Sequence, residues 1–87
     1  MQTIYKYPLQ LTDEQEIHMP KGAKILTIQT QKGYPCLWVQ VDDKQPQTPR
    51  TIITRGTGHP IPDSTLLYLG TYQLDGGALI FHVFEAA

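Results

Sequence analysis

Apolar and polar residues alternate along most of this chain with a period of two, and Gly, Pro and Asp break the alternation at short intervals. Residues 3–7 (TIYKY) are β-branched and aromatic, and Pro8 then removes a ladder donor. Residues 24–31 (KILTIQTQ) place Leu26 and Ile28 on one face and Thr27 and Gln29 on the other. Lys32-Gly33 turns the chain, and residues 34–42 (YPCLWVQVD) alternate again with Leu37, Val39 and Val41 aligned. Two such runs across a short glycine turn predict a β-hairpin. The polar segment DDKQPQTP (42–49) reads as a solvated loop, and residues 50–55 (RTIITR) as the next strand. A second hairpin joins 66–73 (LLYLGTYQ) to 78–85 (ALIFHVFE) through Asp75-Gly76-Gly77, whose residue types accept the positive φ that tight turns require.

Helix signals are nearly absent. TDEQE (12–16) has the form of a capping box, with Thr12 as cap and Gln15 three residues on, but Pro20 leaves room for one turn at most. An extended or turn conformation is favoured there. Six to seven short strands punctuated by Gly and Pro predict an all-β fold with little or no helix: a small antiparallel β-sandwich or barrel, one domain over residues 1–87.

Composition narrows the functional classes. Seven Lys and Arg against eight Asp and Glu give a net charge of −1 over 87 residues. A duplex nucleic-acid binder or a polybasic membrane binder carries a clear cationic excess, so neither is expected. No apolar run approaches the roughly 18 residues of a membrane span. MQTIYKYPLQL lacks a long apolar core, and the lone Cys36 forms no internal disulfide, so the expected compartment is the cytoplasm. A domain this short buries roughly 60–65% of its unfolded surface. With no disulfide or zinc pattern to add stability, a homo-oligomer is expected.

TRGTGHPIP (54–62) is the stretch with most chemistry. Gly56 and Gly58 let successive N–H groups converge on an anion, and Arg55 with Arg50 offers guanidinium forks to phosphate. Thr57 and His59 add donors. Phosphate loops usually lead into a helix N-terminus, whereas Pro60 and Pro62 follow here. The stretch is therefore read either as a strand-ending bulge with a Pro-stiffened crossover or as a ligand loop. Trp38 has the opposite parity to Leu37, Val39 and Val41, which turns it to a mixed surface suited to an interface or a base-stacking platform, unless both faces of that strand are buried. Tyr5 and Tyr7 share one parity, as do Tyr68 and Tyr72.

Catalytic and metal patterns are thin. His18, His59 and His82 have no metal-ligand spacing, and His82 reads as a half-buried sheet residue. Cys36 reads as a packed thiol. Neither a metal, a cofactor nor enzymatic activity is expected.

The segments TIYKYPL, PKGAKIL, PCLWVQVD, GTGHPIP and LGTYQLDGGALIFHVFE cover most of the chain, and through them it resembles a family of small bacteriophage and prophage proteins of unknown function. The resemblance implies a host-takeover or anti-defence role, in the manner of oligomeric β proteins that sequester nucleotide immune signals. The resulting expectation is a non-catalytic protein that binds a cyclic-nucleotide or ADP-ribose type signal through Arg55, Gly56, Thr57, Gly58, His59, Arg50 and Trp38. On that reading Arg55 serves the ligand and contributes little to stability. The alternatives are an interaction module that inhibits a host protein and a minor phage structural protein.

Overall fold

A computed structural model describes residues 1–87. Seven strands follow in order: β1 (Gln2–Pro8), β2 (Glu14–Pro20), β3 (Lys24–Gln31), β4 (Tyr34–Asp42), β5 (Gln47–Gly56), β6 (Leu66–Leu74) and β7 (Leu79–Ala86), with one 3₁₀ turn at Asp75–Gly77. They form two antiparallel sheets, ordered β1-β4-β3 and β2-β5-β7-β6. Stacked face to face, the sheets make a small sandwich whose short dimension is 16 Å. No helix is long and apolar enough to cross a membrane.

Between the sheets lies one cluster of ten buried residues, centred on Leu37, Val39 and Val41 of β4 and on Ile52 and Val83 of the larger sheet. The period-two alternation of β4 thus turns its aliphatic side inward, and Trp38 faces outward beside Lys6 and Thr27. Both expected hairpins form. Lys32 and Gly33 take φ of 51° and 78°, and Asp75, Gly76 and Gly77 take 53°, 62° and 95°. Only residues that tolerate the left-handed region suit such positions.

Four departures from simple alternation shape the molecule. TDEQE is not a helical turn. Gln15 instead clamps the main chain of Gln10 in both directions, at 3.0 Å each, and Glu14 opens β2 with Ile17 and Met19 turned inward. Secondly, β5 begins at Gln47, inside the segment expected to be a loop. Pro49 is tolerated because β5 pairs only with β2 there, and β7 joins its other edge from Ile52 onward.

The remaining two departures are β-bulges. A register shift between Ile25 and Thr27 inserts Leu26 as an extra residue, so Leu26 is 43% exposed while Ile28 is buried. They do not share a face. A second shift, between Tyr68 and Gly70, reverses the parity of β6 midway, which sends Tyr68 outward and Tyr72 into the core at 4% exposure. The bulges meet where β3 packs on β6. Gly70, at φ 155°, lies so close to Ile28 that an added Cβ would stand 2.5 Å from Ile28 Cγ2.

Candidate functional site

Alternation along β5 separates the two arginines. Arg50 shares the inner face with Ile52 and Thr54, whereas Arg55 shares the outer face with Thr51 and Ile53. At the open end of the sandwich Arg50 donates through Nε and Nη2 to both carboxylate oxygens of Glu85, and through Nη1 to the Ala23 carbonyl at 3.0 Å. The hydrogen bonds to Glu85 push the guanidinium pKa upward, against a smaller opposing effect of burial. Arg50 therefore ties β5 to β7 and to the β2–β3 turn. It does not reach the glycine loop.

Arg55 sits at the start of that loop. Its Nη1 donates to the carbonyls of Asp13 and Thr54, each at 2.9 Å, and its Nε to the Pro60 carbonyl at 3.2 Å. One side chain thus fastens the proline arm to the strand it left and to the residue before β2. Only Nη2 makes no bond to protein. The glycine loop itself closes as a tight turn, with His59 N–H donating to the Gly56 carbonyl at 3.0 Å and Thr57 N–H to the Ile80 carbonyl at 3.2 Å. Gly58, at φ 87°, bends the chain between them. Two of its N–H groups are thereby committed within the fold, and they do not converge as an anion nest.

Beneath the loop is a cleft of about 240 Å³, lined by Arg55, Gly56, Thr57, Gly58 and His59 together with Ile61, Tyr68, His82 and Phe84. Five residues of the sequence-derived set thus meet in one place. Ile61 comes from the proline arm, and three others enter only through strand pairing. β7 sets His82 opposite Arg55 on one side and opposite Thr71 of β6 on the other, and sets Phe84 opposite Tyr68. His82 is the polar floor. Its Nε2 meets the Thr57 hydroxyl at 2.7 Å and its Nδ1 the Thr71 hydroxyl at 3.0 Å, and Thr71 continues the chain to the Tyr68 hydroxyl. Hydroxyls donate or accept, so this chain accommodates either imidazole tautomer. The rings of Tyr68 and Phe84, with centroids 5.6 Å apart at 59°, form the apolar wall.

Trp38 lies on the outer face of the other sheet and takes no part in the cleft. Its indole Nε1 is buried without a hydrogen-bond partner. Tyr5 and Tyr7 pack edge to face, with centroids 6.3 Å apart, on the inner side of β1. Cys36 is buried, and no group of three or more His, Cys, Asp or Glu side chains forms a cluster.

The arrangement offers a planar ligand an aromatic wall, a row of hydroxyls held by His82 and one free guanidinium nitrogen. His82 and Phe84 escaped the sequence-level site because a run such as IFHVF looks like any half-buried strand; their neighbours are set by the registers of two separate strand pairs. Among known proteins, a family model described as "Domain of unknown function (DUF7352)" matches residues 1–87. Neither the curated proteins nor the solved structures contain a match.

Proposed function

Since the chain belongs to the DUF7352 family over its whole length, a family defined without an activity, we propose a function from the cleft: non-catalytic capture of a nucleotide-derived small molecule. The observation that carries this reading is the juxtaposition of the Tyr68–Phe84 wall, the His82–Thr57 floor and the unbonded Nη2 of Arg55 in one cleft. A base stacks on the aromatic wall and bonds to the hydroxyls of Thr57 and Tyr68 along its edge, and a phosphate oxygen meets Nη2. Capture is favoured over turnover on chemical grounds. Thr57 and His82 stand at the separation of a nucleophile and its base, but a threonine hydroxyl, not a carboxylate, lies behind the imidazole. Two of the loop N–H groups that would stabilise an oxyanion, those of Thr57 and His59, are used internally.

A cleft of about 240 Å³ falls below the ~300 Å³ of a typical ligand site. The proposal therefore includes a homo-oligomer in which a second copy covers the ligand. The resemblance to small phage and prophage proteins supplies the biological setting: sequestration of a cyclic-nucleotide or ADP-ribose type immune signal in the bacterial cytoplasm.

The test is a thermal-melt screen against cyclic di- and trinucleotides, ADP-ribose variants, NAD and mononucleotides. A ligand at 100 times its Kd stabilises by about 2.7 kcal/mol, which raises Tm by roughly 10 °C or more in a domain of this size. Tyr68→Ala should abolish the shift and leave the unliganded Tm nearly unchanged, since Tyr68 is 57% exposed. A flat response across the panel would refute capture. The outer face of the three-stranded sheet supports a second reading, in which it docks a host protein: Trp38 shares that face with Ile4 and Tyr34, both of them exposed. That reading requires stable co-purification of one host protein, lost on Trp38→Ala.

A further inference from the structure

The Gly56–His59 turn has a second side. Behind it, toward the space between the sheets, lies a cavity of about 130 Å³ that shares only Gly56 and His59 with the cleft just described. Its polar lining comes from three places: Thr12 and Asp13 before β2, Thr54 on β5 and Tyr72 on β6. Phe81 and Leu11 complete it. The partition between the two cavities is one imidazole thick. The His59 ring lies 3.0 Å from where a Cβ on Gly56 would stand, and it makes no hydrogen bond of its own.

The polar groups in this cavity lack partners. Thr54 is 5% exposed, and its hydroxyl is buried with no hydrogen bond. Such a group costs about 1–3 kcal/mol of desolvation. Asp13 bonds to the fold only through its carbonyl, which accepts from Thr54 N–H and from Arg55, each at 2.9 Å; no protein donor meets its carboxylate. The Tyr72 hydroxyl also has no partner, and burial pushes its pKa up, so it stays a neutral donor. The Tyr72 and Phe81 rings, 5.4 Å apart at 31°, give the cavity a flat apolar wall.

A carboxylate that lacks a cation repels phosphate and accepts hydroxyl hydrogens. Hydroxyls of Thr12, Thr54 and Tyr72 exchange hydrogen bonds with further hydroxyls, and an aromatic face packs against a ring of C–H groups. The volume suits one furanose and excludes a nucleotide. We propose that this cavity is a ribose subsite, in which the Asp13 carboxylate accepts both hydroxyls of a vicinal diol and the ligand gives Thr54 the partner it lacks in the fold. The inference rests on capture at the adjoining cleft and narrows the ligand class. A nucleotide whose ribose keeps its 2′- and 3′-hydroxyls free, as in ADP or ADP-ribose, fits the pair of cavities. A cyclic dinucleotide does not, because esterification leaves it no free vicinal diol.

The experiment measures binding of ADP, of 2′,3′-dideoxy-ADP and of a cyclic dinucleotide by calorimetry, to wild-type protein and to Asp13→Asn. The substitution keeps the backbone carbonyl on which Thr54 and Arg55 depend, and a second variant, Thr54→Val, preserves shape. Wild-type protein should bind ADP at least about tenfold more tightly than 2′,3′-dideoxy-ADP, the effect of one charge-assisted hydrogen bond. Asp13→Asn should erase that preference with dideoxy-ADP affinity unchanged, and Thr54→Val should reduce it. Equal affinity for ADP and 2′,3′-dideoxy-ADP would overturn the subsite and leave capture standing, as would binding of the cyclic dinucleotide alone. A preference that survives in Asp13→Asn also overturns it. Failure of every probe would remove both the subsite and the capture reading beneath it.

Discussion

Replacing Arg55 by alanine tests whether the glycine loop is held by its own arginine. The side chain donates three hydrogen bonds to main-chain carbonyls, of Asp13, Thr54 and Pro60, and those to Asp13 and Pro60 tie the segment before β2 and the proline arm to β5. Hydrogen bonds from a charged donor contribute about 1.5–3 kcal/mol each. Those to Asp13 and Pro60 lie in solvent, where water replaces the lost donor, so the whole side chain contributes about 2 kcal/mol. In a domain of this length that lowers Tm by roughly 8–16 °C. The assay is urea unfolding followed by Trp38 fluorescence. With a slope near ~1 kcal/mol/M the midpoint should fall by about 2 M at unchanged slope. Arg55→Lys keeps the charge but loses the fork, and should recover less than half of the loss. A midpoint for Arg55→Ala equal to that of wild type would refute the reasoning and return Arg55 to a purely ligand-facing role. The sequence-level expectation, that Arg55 is dispensable for stability, is the opposite of what these three bonds require.

Further outcomes follow from particular contacts. Gly70→Ala forces a Cβ to within 2.5 Å of Ile28 Cγ2 at a positive φ, and should destabilise by about 2–4 kcal/mol. Ile28→Leu moves the branch away from Cβ, so the double mutant should be less destabilised than the two single changes summed; strict additivity in a denaturation cycle would show that the two residues do not collide. Thr54→Val removes a buried hydroxyl with no partner and should raise stability by about 1 kcal/mol; a lower melting temperature would mean that the hydroxyl is satisfied. The Asp42 pKa is lowered, chiefly by the Lys44 N–H that its carboxylate accepts. Its contribution is therefore present above the unfolded value of 3.8 and lost as pH falls through the lower folded value. Comparing wild type with Asp42→Asn from pH 6 to pH 2, the difference in urea midpoint should shrink only at the acid end; a constant difference would contradict the assignment.

The amino-acid order alone determined six of the seven strands and both hairpin turns, but not β2 or the first residues of β5. The alternation of Leu37, Val39 and Val41 places the core side of β4 without reference to any other strand, because side chains alternate strictly on a pleated backbone. Gly33 and Asp75-Gly76-Gly77 announce their hairpins because few other residue types accept positive φ, whereas Lys32 takes φ 51° with no such preference. The GTGH stretch was legible as a place where chemistry gathers, and Arg55 to His59 do line one cleft. Only the tertiary structure decided which residues share a face and which cavity they line. The bulges at Leu26 and Leu69 each insert one residue, and one residue reverses every side chain beyond it; nothing local in KILTIQTQ marks where that happens, and in LLYLGTYQ only the lone Gly70 does. Arg50 was bound to Glu85, and His82 to Thr57 and Thr71, by registers between strands distant in sequence. Local pattern specifies a strand's two faces. What stands opposite each face depends on pairing across the whole chain, and so does the site.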